Sequence, residues 1–124
     1  MRPSDDRLLE LLVRHMGAMR REIMLELLFD EAGMLCGHQV RCDGEFASVS
    51  ARYRRLFEHA FEVRASGIVL VHNHPSGDSR PSPQDIVSTR RLAAVARPMD
   101  LEFHDHVVIG GNAAVSMRKA GLMS

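Results

Sequence analysis

An unbroken apolar run, Gly67-Ile68-Val69-Leu70-Val71, leads straight into His72-Asn73-His74-Pro75, and Ser82-Pro83-Gln84-Asp85 follows. Apolar residues without alternation mark a strand buried on both faces. Pro75, Gly77 and Pro81 break that strand and turn the chain. Ser82 then has the makings of a helix N-cap, with proline at the first helical position and an acid, Asp85, in the first turn. A buried strand, a turn and a helix therefore occupy the middle of the sequence, and the rest of the fold has to be built around them.

The same stretch carries metal-ligand chemistry. Side chains two apart in a strand point to one face, so His72 and His74 can aim at a common point beyond the strand end. The helix start brings Asp85 back as a third ligand. Two imidazoles and one carboxylate would hold a zinc ion with its fourth tetrahedral position open to water, as a catalytic site requires. A lone His-x-His pair usually has no function, and capping alone accounts for Ser82 and Asp85. The two readings are compatible, since a capped helix start is a rigid mount for a ligand.

The pattern His-x-His, seven residues, Ser, two residues, Asp resembles the signature of the JAB/MPN (JAMM) metalloprotease domains. The wording "HNHPSGDSRPSPQD", followed by "TRRL" and later "DHVVIGG", is similar to the RadC branch of that family. The similarity extends from about Arg21 to the C-terminus. It implies an α/β class and an α/β/α fold related to the cytidine deaminases, with a mixed central sheet flanked by helices. It also implies one Zn2+ per chain on His72, His74 and Asp85, and amide or isopeptide hydrolysis. Residues 1–20 would be an N-terminal amphipathic helix packed on a domain formed by residues 21–124.

The resemblance further places a catalytic glutamate at Glu22, at the start of the first strand, where a carboxylate could take a proton from water and pass it to a leaving amine. Glu26 lies on the same face by period two and is a competing candidate. To Ser82 the resemblance gives an oxyanion-supporting role beside its capping one. Asp105 falls on the otherwise apolar face of its strand and needs a partner; it either orients a ligating histidine from behind or makes an ordinary structural hydrogen bond. His104 and His106 alternate with it and read as non-ligands on the opposite face, while His15, His38 and His59 read as surface residues.

Composition agrees without selecting. The chain has 124 residues, 45% of them hydrophobic, which suits one folded domain. No apolar run is long enough for a membrane span and the start does not read as a signal peptide, so a cytoplasmic location is expected. Cys36 and Cys42 lack Cys-x-x-Cys spacing and read as thiols rather than a disulfide or ligands. The net charge is zero, and Lys119 is the only lysine; nucleic acid is not an expected partner.

Periodicity predicts a helix over about 5–20, strands at 23–29 and 34–40, and a short strand near 46–49. A helix containing Tyr53, Phe57, Ala60, Phe61 and Arg64 follows, then the strand at 67–72 and a helix from Pro83 to about Ala96. Leu101, Phe103, Asp105, Val107 and Ile109 alternate along a further strand, Ala114 to Met117 form another, and the tail ends in a helical piece near Gly121.

Three look-alikes are excluded. The HNH nuclease motif is not contiguous as His72-Asn73-His74 is. Zinc deaminases need His-x-Glu and Pro-Cys-x-x-Cys. His-Glu-x-x-His proteases need both histidines on a helix, which Pro75 forbids.

The expected function is a zinc-dependent metallopeptidase or isopeptidase acting on a peptide or protein substrate. The alternatives are a catalytically silent zinc-containing accessory of DNA repair or mobile elements, and a metal-stabilised binding module that docks a partner or forms a homodimer through a sheet edge. RadC proteins usually carry a sizeable N-terminal region with helix-hairpin-helix character, of which only one helix is expected here.

Overall fold

A computed structural model describes residues 6–42 and 49–123. Its centre is a mixed sheet of five strands in the order β2-β1-β3-β4-β5: β1 (Ile23–Phe29), β2 (Leu35–Cys42), β3 (Gly67–Asn73), β4 (Glu102–Gly110) and β5 (Ala113–Ser116). β1 is antiparallel to both β2 and β3, β4 runs parallel to β3, and β5 is antiparallel to β4. The parallel step is the informative one, because parallel neighbours need a crossover connection. Here it is the helix α3 (Pro83–Ala96).

Every residue of β3 is buried, as its continuous apolar run requires, because helices cover both faces of the sheet. Met24, Leu28, Ile68, Leu70 and Phe103 pack with Leu56, Phe57 and Ala60 of helix α2 (Val49–Glu62) and with Leu92 and Ala96 of α3. On the opposite face Leu27, Phe29, Val69, Val71, Val107 and Ile109 pack with Met16, Leu8, Leu9 and Leu12 of helix α1 (Asp6–Met16). The chain is thus the expected α/β/α sandwich. At roughly 1.5–3 kcal/mol per buried large apolar side chain, these two clusters dominate its stability.

The expected elements differ from the structure at several places: α1 ends at Met16 rather than near residue 20, and β2 runs on to Cys42. The strand near 46–49 falls mainly outside the described residues, and Val49 itself opens α2. In α2 the buried stripe runs through Leu56, Phe57 and Ala60, whereas Phe61 is 54% exposed and stacks on Phe57 from outside. Arg64 lies beyond the helix in the left-handed region (φ 55°), so it stops the helix rather than extending it. The tail near Gly121 is a series of turns, not a helix; Gly121, at φ 72°, sits where a helix cannot continue.

The difference with most consequence is a bulge in β4. Ile68 pairs with Phe103 but Val69 pairs with Asp105, leaving His104 as an extra residue. His104 and Asp105 therefore both point to the α1 side, and the alternation resumes one residue out of step. His106 pairs with Leu70 and shares the α2/α3 face with it and with His72. His104 packs edge-on to Phe29 and covers Gly67, where a Cβ would stand 2.2 Å from its Nε2.

Candidate metal centre

His72 is the last residue but one of β3 and points to the α2/α3 face, where it is 6% exposed. His74 stands just beyond the strand; its backbone N–H donates to the Ile109 carbonyl at 2.7 Å, which extends the β3–β4 ladder by one residue. The two imidazole rings meet edge to face, with centroids 4.9 Å apart. Asp85 arrives from the first turn of α3. Ser82 and Asp85 form a reciprocal capping box: Ser82 Oγ accepts from the Asp85 N–H at 3.0 Å, and Asp85 Oδ2 accepts from the Ser82 N–H at 2.8 Å. With Pro83 in the first turn, this start fixes Asp85 before any metal is considered.

One ligand atom each from His72, His74 and Asp85 lies within 4.8 Å of the other two. His74 Nε2 is 3.2 Å from Asp85 Oδ2, and His72 Nδ1 is 3.6 Å from Asp85 Oδ1. Bonds of about 2.0–2.1 Å to a tetrahedral ion would separate ligand atoms by roughly 3.3–3.4 Å; the two His–Asp85 separations are near that value, each to a different carboxylate oxygen. Two further observations fit a cation. His72 Nδ1 is buried and has no hydrogen-bond partner, although a buried polar atom normally has one. His74 Nδ1 lies 2.8 Å from the Asp78 carbonyl oxygen. A carbonyl can only accept, so Nδ1 carries the proton and the Nε2 lone pair faces Asp85 and the candidate ion.

The charge of Asp85 is protected. Burial opposes it, but the Ser82 amide, the His72 imidazole, the Ser82 hydroxyl and His106 together hold its carboxyl below the usual range. In the loop behind His74, the Arg80 guanidinium grips Asp78 with several contacts and holds that carboxyl down to about 2. The loop rests on Gly110. A Cβ there would stand 2.4 Å from Ser79 N and 2.5 Å from the Asp78 carbonyl carbon, both backbone atoms that cannot swing aside. Gly110→Ala is therefore expected to push the Asp78 carbonyl off His74 and weaken zinc binding by about 10–100-fold, the usual cost of disturbing an outer partner. Competition with a chromogenic chelator would measure it.

Glu22 immediately precedes β1 at the rim, with its side chain 48% exposed, and Oε1 is in contact with His72 Nε2. Glu26, four residues further on and on the same face, is only 1% exposed, and its Oε2 lies 3.0 Å from Arg41 Nε of β2. The two glutamates thus occupy different environments, one at the mouth of the site and one in a buried ion pair below it.

Asp105 does not orient a ligating histidine. The β4 bulge turns it to the α1 side, where its carboxylate accepts from the Ser116 hydroxyl and from the backbone N–H groups of His106 and Arg118. His106, expected on the opposite face, instead lies beside the centre, its ring centroid 5.8 Å from that of His72. It shares a 2.6 Å hydrogen bond with Thr89 of α3, one turn beyond Asp85, and so ties the ligand-bearing helix to the sheet. The strict alternation of β4 concealed it. Cys36 is a free thiol on the α2/α3-side core and does not belong to the metal group.

Asn73, between the two histidines, is the other residue the pattern did not single out. It points to the opposite face and is 1% exposed. Its Oδ1 accepts from the Ile23 N–H at 2.7 Å and its Nδ2 donates to the Arg21 carbonyl at 2.9 Å, so one amide holds the backbone on both sides of Glu22. Asn73→Ala is expected to keep zinc but lower the rate of any reaction that needs Glu22 by about 100-fold, as a displacement near 1 Å can. It should also cost about 1–3 kcal/mol for the unsatisfied Ile23 N–H. Urea unfolding together with zinc content would separate the two effects.

A family model described as "RadC-like JAB domain" matches residues 3–122, a span that includes α1. The chain is 43% identical over 79 residues to a UPF0758 protein of Roseiflexus castenholzii, covering 64% of this chain and 34% of the relative. A UPF0758 protein of Chloroflexus aggregans is 42% identical over the same length, with the same coverage of both chains. UPF0758 protein YkfG of Escherichia coli is 32% identical over 109 residues, 88% of this chain and 69% of YkfG. The chain spans about a third of the length of the first two relatives. Among the described residues no helix is long and apolar enough to cross a membrane.

Proposed function

The chain belongs to the RadC-like JAB domain family, and on that premise we propose that it is a zinc-dependent hydrolase that cleaves an amide, in a peptide or an isopeptide. The observation that carries the reading is the cluster of His72, His74 and Asp85 at the end of a buried strand, with an exposable carboxylate, Glu22, against one of its histidines. Three protein ligands rather than four are the mark of a catalytic zinc site. Zinc bound there would supply Lewis acidity and lower the pKa of water toward neutrality.

The chain's own groups would do the rest. Glu22, half exposed, would take the proton of the attacking water and return it to the leaving amine. Asp85 stays anionic through its cap and offsets the cation's charge. The Ser82 oxygen accepts from the Asp85 N–H, and its O–H, which favours the Asp85 carboxylate, would turn to the carbonyl oxygen as negative charge develops there. Cap and oxyanion support use different parts of the same hydroxyl. Glu26 is not the base in this reading, because its carboxylate is buried against Arg41.

Incubating zinc-loaded and chelator-treated protein with a mixed peptide library, then labelling new amino termini, tests the reading. New termini that depend on zinc and on Glu22 would support it; a library unchanged at high protein and full zinc occupancy would favour a silent metal-stabilised module.

A further inference from the structure

We propose that the cavity beneath the metal triad is a subsite for one uncharged, apolar side chain of the substrate, the one next to the bond being cut. This rests on the hydrolase reading above and adds the substrate class to it. The cavity has a volume of about 140 Å³, and Glu22, His72 and Asp85 of the metal centre form part of its lining. A group entering it would be attached to an atom already beside the triad.

Size, wall chemistry and charge each limit the occupant. Its apolar wall is Met24, Leu56, Leu70 and Leu92, supplied by β1, α2, β3 and α3, and Tyr53, Gln84 and Ser88 add polar groups to the lining. A wholly apolar cavity of about 150 Å³ takes a guest the size of benzene, and this one has a similar volume although polar groups share its lining. An isobutyl group or one phenyl ring fits that volume, and an indole does not. Deeper down, Glu26, Thr89 and His106 are each no more than 2% exposed.

An acid at that depth would ordinarily invite a lysine or arginine. Here Arg41, itself fully buried, stands 3.0 Å from the Glu26 carboxylate and already balances it. A second cation would be buried beside Arg41 at a cost no remaining charge repays. Thr89 and His106 are hydrogen-bonded to each other. Below the metal triad and the Glu22 carboxylate at its mouth, the cavity therefore offers apolar contact and no spare counter-charge.

Hydroxamates coordinate an open zinc position and test this without turnover. Zinc-loaded protein would be titrated calorimetrically with acetohydroxamate, 4-methylpentanohydroxamate and 6-aminohexanohydroxamate, and with benzene while leucine methyl resonances are followed by NMR. The expected result is saturable benzene shifts at Leu56, Leu70 and Leu92, and 4-methylpentanohydroxamate binding at least about tenfold tighter than acetohydroxamate. In Leu92→Phe, which fills the cavity, that ratio should collapse toward one. In Leu92→Ala, which widens it, preference should move to 3-phenylpropanohydroxamate, so the test does not depend on the filled variant folding.

No gain from the longer chain, no benzene shifts, or tighter binding of the aminohexanoyl compound would each overturn the subsite. Zinc held in full with no hydroxamate binding would instead sink the hydrolase reading, and the substrate assignment with it.

Discussion

Asp85→Ala should leave a folded protein that no longer retains zinc through gel filtration. The carboxylate has two separable duties, and the variant removes both. As a ligand it is one of three, and its loss should weaken binding by well over the roughly 100-fold that an outer partner costs. As half of the capping box with Ser82 it steadies the start of α3, worth about 1 kcal/mol. Asp85→Asn tells the two apart, because its side-chain oxygen can still accept from the Ser82 N–H while a neutral amide is a poor zinc ligand. Elemental mass spectrometry and urea unfolding on the pair should show zinc lost in both and stability lost mainly in Ala. Zinc retained in full by either variant would remove Asp85 from the centre.

Glu22→Gln should show the converse: zinc retained, hydrolysis reduced by about 10²–10⁴-fold. The amide keeps the shape and the contact with His72 but cannot accept a proton. Glu26→Gln is the control with a different signature. Glu26 pairs with Arg41 in the core, so breaking that pair should cost about 3–5 kcal/mol of stability through the charge left behind on Arg41. A fall in kcat with unchanged unfolding for Glu22→Gln, against a fall in stability for Glu26→Gln, assigns one glutamate to chemistry and the other to structure. Equal turnover by wild type and Glu22→Gln at full zinc occupancy would remove Glu22 from the base role.

What could be read from residues alone was whatever is local. The run 67–71 has no polar alternation, so it had to be a strand covered on both faces, and Ser82-Pro83-Gln84-Asp85 carries its own cap. Both features survive folding unchanged, and with them the cluster of three candidate ligands. The β4 bulge could not be read this way. Period-two reasoning assumes one residue per step, and the extra His104 reverses the face of everything after it; that sent Asp105 away from the centre and brought His106 in.

The buried pair of Glu26 and Arg41 was hidden for another reason: its members lie on adjacent strands, and only the β1–β2 register brings them together. Asn73 was masked by its neighbours, since a strand residue between two candidate ligands points away from them. Its hold on Arg21 and Ile23 depends on where the chain returns after α1.

X-ray absorption at the zinc edge of the purified wild-type protein tests the central claim most directly, because it reports the metal's presence and its ligands together. An open catalytic centre on His72, His74 and Asp85 predicts about one zinc per chain, four light ligands at about 2.0 Å with two-imidazole scattering, and no sulfur. Sulfur at about 2.3 Å, a shell with no imidazole, or no zinc retained even after loading would contradict it.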